Sequence, residues 1–227
     1  MPYLPERTYM RLLTLICIPA LLLSGCVVAT PAPDKEQTPD GLVRRQSRQV
    51  DTLYVKSGAT LAPYKRVMLD SVEFAFKQDW QKQHPEVSES DMTRVRSQGS
   101  AAFYEIFSAA LTMNGGFPLT MQTGPDVLRV TATISELDLS TTPAAGGTQR
   151  MHVVSPQDLT LLMELRDSQS GALLARAIDR DKGRAIGNLQ VEGDLKNSTE
   201  ARKALEMWAG LLRGALDAAR SAPAPGP

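Results

Sequence analysis

The stretch "DLTLLMELRDSQSGALLARAIDRD", residues 158 to 181, carries two alternating runs around a short polar turn. Leu159, Leu161, Met163 and Leu165 recur at every second position, the period that places side chains on one face of a strand. "SQSG", 168 to 171, turns the chain and "ALLARAIDRD" brings it back. Two such runs around a Gly-containing turn predict an antiparallel hairpin. A hairpin alone is marginal in water, so the rest of the chain must supply more strands and a cover for their apolar face.

Working outward, "DVLRVTATISELDL", 126 to 139, alternates through Leu128, Val130, Ala132 and Ile134, then shifts to Leu137 and Leu139. That predicts a long strand with a bulge near the shift. "RVMLDSVEFAF", 66 to 76, shows the same kind of shift, from Val67 and Leu69 to Val72, Phe74 and Phe76. It reads as a strand bent near Asp70 and Ser71. "PLTMQ", 118 to 122, fits a short strand, and "STTPAAGGTQR", 140 to 150, reads as a loop. "AIGNLQVEGD" reads as a loop or edge segment. "DWQKQHPEVSESD" is expected to be a polar loop, with Pro85 blocking a helix.

The cover comes from two helical patterns. After Ser88 or Ser90, either suited to N-cap a helix, Met92, Val95, Ala102, Phe103, Ile106, Phe107, Ala110 and Leu111 fall at three- and four-residue spacings. "NGG", 114 to 116, ends that helix. From Ser198, Ala201, Leu205, Trp208, Ala209, Leu212, Ala215, Leu216 and Ala219 form a second stripe, with Arg202, Glu206, Arg213, Asp217 and Arg220 expected to face water. The order is strand, helix, strand, strand, strand, helix. It predicts one α+β domain over 51–220: a mixed, mostly antiparallel sheet of about four strands with both helices on one face. Trp208 falls on the core stripe. Trp80 is expected at a strand end, where it is either an exposed aromatic contact for a partner or a side chain packed over the sheet edge.

Composition narrows the function classes. The 227 residues are 42% hydrophobic, enough for a core. Lys plus Arg and Asp plus Glu are 25 each, which argues against a nucleic-acid partner. The densest basic cluster, "VRRQSR" at 43 to 48, reads as part of a solvated tether within reach of phosphate headgroups. Cys17 and Cys26 are the only cysteines, so the expected domain has no disulfide, thiol nucleophile or Cys-based metal site. His84 and His152 fall in different expected loops and do not make a zinc set. "DSQSG" lacks the first Gly of a nucleophile elbow, and "GRAIGN" lacks the Lys-Ser/Thr of a phosphate loop. Asp179, Asp181 and Gly183 resemble a calcium loop only in part, without its later ligands. The expectation is therefore no enzyme, no cofactor and no metal.

The amino terminus gives an address. "LLTLICIPALLL", 12 to 23, is an apolar run preceded by Arg7 and Arg11. As a helix it reaches about 18 Å, short of a bilayer core of about 30 Å, so it reads as a secretory signal over 1–25. Met10 is an alternative start, because "MRLLTLICIPALLLSGC" is already a complete signal. "LSGC", Leu23 to Cys26, resembles the bacterial lipobox. That resemblance implies diacylation of the Cys26 sulfur, cleavage after Gly25 and acylation of the new amino terminus. The bland alternative is an ordinary cleaved signal with a coincidental cysteine. Two or three acyl chains hold stably where one is marginal, since each buried methylene contributes about 0.8 kcal/mol. Val27 stands where an aspartate would imply inner-membrane retention, so the resemblance implies the periplasmic face of the outer membrane. Residues 26–50 read as a flexible tether and 221–227, "SAPAPGP", as a disordered tail.

"YVKSGATLAPYKRVMLDSVEFAFKQDW", 54 to 80, is similar to a family of bacterial lipoproteins known as domain of unknown function 3313. Tyr64, Lys65 and Val67 lead into the strand, and Asp70 is followed by Val72. The family often has a proline after that aspartate, where this chain has Ser71. The resemblance spans about 50 to 220 and implies no catalytic activity. The element order also resembles periplasmic lipoproteins that act beside envelope machines, a likeness of fold alone. Together these readings predict a non-catalytic accessory or binding module. It is held to the membrane by the lipid on Cys26 and docks an envelope protein, with Trp80 as a candidate contact. The alternative is a periplasmic carrier of a small apolar ligand or glycan.

Overall fold

A computed structural model of the protein describes residues 37–137, 139–143, 150–154, 159–180 and 199–222. The expected signal, Cys26, the loop at 185–194 and most of the C-terminal tail lie outside these residues.

The predicted hairpin is present as β8 (Thr160–Asp167) and β9 (Leu173–Arg180), paired antiparallel from Thr160 opposite Arg180 to Arg166 opposite Leu173. Asp167 closes the turn: its carboxylate accepts from the Ser170 amide and hydroxyl, and Gly171 takes a positive φ of 70°. β8 also pairs antiparallel with β5 (Val127–Leu137), the expected long strand. Its irregularity falls where the apolar pattern shifts, with Glu136 at φ 62°.

The segment expected as one bent strand is two strands, β3 (Arg66–Leu69) and β4 (Glu73–Phe76), separated at Asp70–Val72. Both run parallel to β5, one after the other along its length. β1 (Leu42–Arg45) and β2 (Thr52–Lys56) complete a seven-stranded sheet in the order β1-β2-β9-β8-β5-β3, with β4 also on β5. The domain is thus a single mixed α+β domain, as expected, but its open sheet has seven strands and not about four. Part of the expected tether is ordered, because β1 pairs with β2 from Leu42 opposite Lys56 to Arg45 opposite Leu53. "PLTMQ" contributes a single parallel bridge, Leu119 to Val67. The expected loop after β5 contains a hairpin, β6 (Leu139–Pro143) with β7 (Arg150–Val154), and His152 lies on β7.

Trp80–Gln83 form one helical turn, α1, in the expected polar loop, ending just before His84 and Pro85. α2 (Glu89–Thr112) begins at Ser88, whose hydroxyl accepts from the Asp91 amide while the Asp91 carboxylate accepts from the Ser88 amide. α3 spans Thr199–Ser221. The apolar stripes of α2 and α3 pack over one sheet face, against Val67 and Leu69, Val130 to Ile134, and Leu161 to Leu165. Gly99 lets them close: a methyl there would lie 2.5 Å from the Phe74 ring of β4.

Candidate functional site

The polar residues that the sequence offers only as partial matches to a chemical motif are mostly occupied in holding the fold. Asp179 is 1% exposed on the inner face of β9. Its carboxylate accepts from the Trp208 indole N–H at 2.9 Å and from the Asp51 amide at 3.1 Å. It ties α3 and the start of β2 to β9, which is a structural role for a candidate calcium ligand; Asp181 and Gly183 lie outside the described residues. Ser168, in the "DSQSG" turn, donates to the Gly124 carbonyl and accepts from the Gly124 amide, both at 3.0 Å, so its hydroxyl is spent on the turn. The Tyr64 hydroxyl donates to Asp167 at 3.1 Å. Burial, then the Asp167 bond and charge, push Tyr64 up to about 12, which keeps it protonated. Among the described residues no three His, Cys, Asp or Glu groups converge on a possible metal position.

Trp80 is not an exposed anchor. It is 2% exposed, stacked between Phe76 (centroids 5.1 Å apart) and His84 (4.5 Å). The short α1 turn folds the indole back over the sheet edge, so of the two readings of Trp80 the packed one holds. His84 is taken up by that stack, with Nδ1 3.3 Å from a Glu86 carboxylate oxygen.

The outer face of the sheet, opposite α2 and α3, carries a charge row. Glu164 on β8 meets Arg166 at 2.7 Å and Arg176 of β9 at 2.7 Å, and Arg176 also reaches Asp40 from the turn before β1. Burial raises the Glu164 carboxyl, but the bonds and charges of Arg166 and Arg176 outweigh it and hold it below its ordinary value. These groups neutralise one another.

Two features near the β1–β2 edge are left over. The first is an apolar cleft of about 120 Å³, where α3 stops short of covering the sheet. Leu53, Met163 and Ala177 form its floor, Trp208 and Leu211 its helical wall, and Val50 its rim. Ala215 lines it from the exposed side of α3. The second is a polar recess next to it, lined by Arg44, Arg45, Gln46, Ser47, Arg48 and Asp51. Ser47 belongs to both, and its hydroxyl accepts from the Gln49 and Val50 amides, which fixes the turn carrying Arg48. The sequence reading placed these arginines in a tether and missed the cleft, because its walls come from segments 160 residues apart.

Size decides what the cleft can hold. Pockets for small ligands run about 300–1,000 Å³. A cavity of roughly 150 Å³ holds one benzene-sized group. The cleft therefore fits a single apolar side chain.

The profile of the family described as "Protein of unknown function (DUF3313)" matches residues 37–212. This chain belongs to the DUF3313 family. The match begins at Gln37, ahead of the expected domain start at 51, and it takes in β1 and the arginine recess. No curated protein matches the chain. Among solved structures, it is similar to the PelC dodecamer from Paraburkholderia phytofirmans, at 15% identity over 71% of this chain and 97% of that one, with a TM-score of 0.35. It is also similar to a homolog of neuraminyllactose-binding hemagglutinin from Helicobacter pylori, at 11% identity over 69% of this chain and 88% of that one, with a TM-score of 0.32. With TM-scores below 0.5, neither likeness bears on function.

Proposed function

We propose that this DUF3313 chain is a non-catalytic accessory module on the periplasmic face of the outer membrane, anchored by lipid on Cys26, and that it docks an envelope protein. The observation that carries the docking reading is the cleft of about 120 Å³ beside α3. It suits one apolar side chain of a protein partner and is too small for the ligand of a carrier. The lipobox-like "LSGC" and Val27 support the anchor and its address. The buried polar groups Asp179 and Ser168 are committed to structural hydrogen bonds, which favours a binding role over catalysis.

The test is crosslinking capture in intact cells with tagged wild type, Cys26→Ser and Ala215→Trp. Ala215 is exposed at the cleft wall, so the indole fills the cleft without entering the core. The expected result is one envelope protein retained by the wild type, weakened by Cys26→Ser and lost with Ala215→Trp. Equal retention by Ala215→Trp would remove the cleft from the docking surface. No specific capture by any form would overturn the docking reading.

A further inference from the structure

Most arginines among the described side chains have partners. Arg66 meets Asp126, Arg129 meets Asp70, and Arg220 meets the carbonyls of Gly115 and Gly116. Arg44, Arg45, Arg48 and Arg180 form no side-chain hydrogen bond or ion pair with any described residue. All four collect at one end of the sheet. The strand registers place the last residue of β1, the first of β2 and the last of β9 side by side: Arg45 lies opposite Leu53, and Thr52 opposite Ile178. Arg48 projects from the turn that Ser47 closes between β1 and β2. The carboxylate of this corner, Asp51, already accepts the Arg180 amide at 3.2 Å.

The chain direction gives this end a meaning. Gln37 pairs antiparallel with Val43. At Gln37 the chain therefore runs in the direction from the Arg45 end of β1 to its Leu42 end. Ten residues lie between Cys26 and Gln37, a span of at most about 40 Å when fully extended. We infer that the Arg44, Arg45 and Arg48 corner is a docking surface for anionic phospholipid headgroups, which sets the domain end-on against the bilayer that holds its lipid anchor. This rests on the anchoring reading above. An arginine close to an anionic surface adds on the order of fivefold to binding, and three together about 100-fold, an effect that salt screens. Through Ser47 the apolar cleft lies next to this corner, so docking holds the cleft just above the headgroups, facing a partner at membrane level.

The test uses the full mature chain mixed with vesicles of phosphatidylcholine alone or with 30% phosphatidylglycerol added. Flotation reads the anchor. Energy transfer to a headgroup-labelled lipid, from a dye on Gln46→Cys or Met121→Cys, reads the docking. Gln46 lies at the arginine corner. Met121 is 87% exposed beside the opposite end of the sheet, two residues past the Leu119–Val67 bridge. The expected result is flotation on both vesicles, with strong transfer from position 46 on anionic vesicles only and weak transfer from position 121 on either. Transfer at 46 should fall severalfold in 1 M NaCl and in Arg44→Gln/Arg45→Gln/Arg48→Gln, and persist in the triple Lys variant. Flotation on anionic vesicles alone, lost in the Gln variant, would support the docking surface while the anchor fails. Flotation with charge-blind transfer, or equal transfer from both positions, would overturn the docking surface while the anchor stands, and leave the guanidinium groups to an acidic protein segment.

Discussion

The two ends of this molecule are both rich in arginine and use it in opposite ways. At the far end, Arg213 and Arg220 reach from α3 to the end of α2. Arg213 donates to the carbonyls of Ala110, Leu111 and Met113, and its Nε pairs with Asp217 at 2.7 Å. The Arg220 guanidinium lies 3.8 Å from the centre of the Phe117 ring. At the near end, Arg44, Arg45 and Arg48 meet neither carboxylate nor carbonyl among the described residues. A guanidinium with every donor satisfied inside the protein stabilises the fold. One held out on a fixed turn with its donors free costs little and is available to something else.

Breaking the far end should have the largest effect. The last carbonyls of a helix have no intrahelical donors; Arg213 donates to those of Ala110, Leu111 and Met113 from 3.0, 3.3 and 2.9 Å, beside the Phe117 amide on Leu111 and the Gly116 amide on Met113. Arg213→Ala takes the donor from the part-buried Ala110 carbonyl and leaves those of Leu111 and Met113 with only the Phe117 and Gly116 amides, at a cost of about 2 kcal/mol. A thermal scan should show a fall of about 4–8 °C. Arg213→Lys should recover only part of this, because one ammonium cannot match the planar fork. A fall below about 1 °C in the alanine variant would mean that water caps α2 just as well, and the contrast between the ends would lose its structural half.

Between the ends lies Glu164, paired with Arg166 and Arg176 on the outer sheet face. Its carboxyl is held below its ordinary value of 4.5, so the native state favours the ionised form. The sign follows from that. The stabilisation is fully present above the unfolded value and is lost as pH falls through the folded one. For a part-buried network at the surface it amounts to about 1 kcal/mol. The gap in melting temperature between wild type and Glu164→Gln should therefore stay constant from pH 7 to about 5 and close at lower pH. A gap that widened on acidification would show that another group governs this face.

Local elements could be read from the chain; their neighbours could not. Ser88 with Asp91 three residues on, and the 159–181 alternation, carry their partners within a few residues, so α2 and the β8–β9 hairpin were readable as sequence. The parallel pairing of β3 and β4 with β5 leaves no mark on a period of two, which says which side chains share a face but not which strand lies alongside. "TLYVK" and "LVRR" are too short for periodicity to separate from a tether, and what joins them to the sheet is the pairing of β2 with β9, about 120 residues away. Trp80 misled as a contact because a single turn before Pro85 is below the length at which a helical pattern can be recognised. The arginine corner was visible as composition. Its lack of partners was not, since Asp40 and Asp51 lie only a few residues away in sequence and it is the fold that turns Asp40 to Arg176 and Asp51 to the Arg180 amide.

The smallest expected effect sharpens the comparison most. Arg44→Gln/Arg45→Gln/Arg48→Gln removes three charges but no native contact, and exposed substitutions of this kind stay within about 0.5 kcal/mol. The melting temperature should move by less than about 2 °C. Any change should be an increase, because three like charges on one short segment repel, and it should shrink as salt screens them. Scans at 0.05 and 1 M NaCl, beside Arg213→Ala, check this directly. If the triple variant melts as early as Arg213→Ala, the near-end arginines hold native contacts of their own, and their freedom to bind a surface is gone. If it keeps its melting temperature and loses vesicle contact, the two ends have been separated: one set of guanidinium groups holds the fold together, and the other positions it.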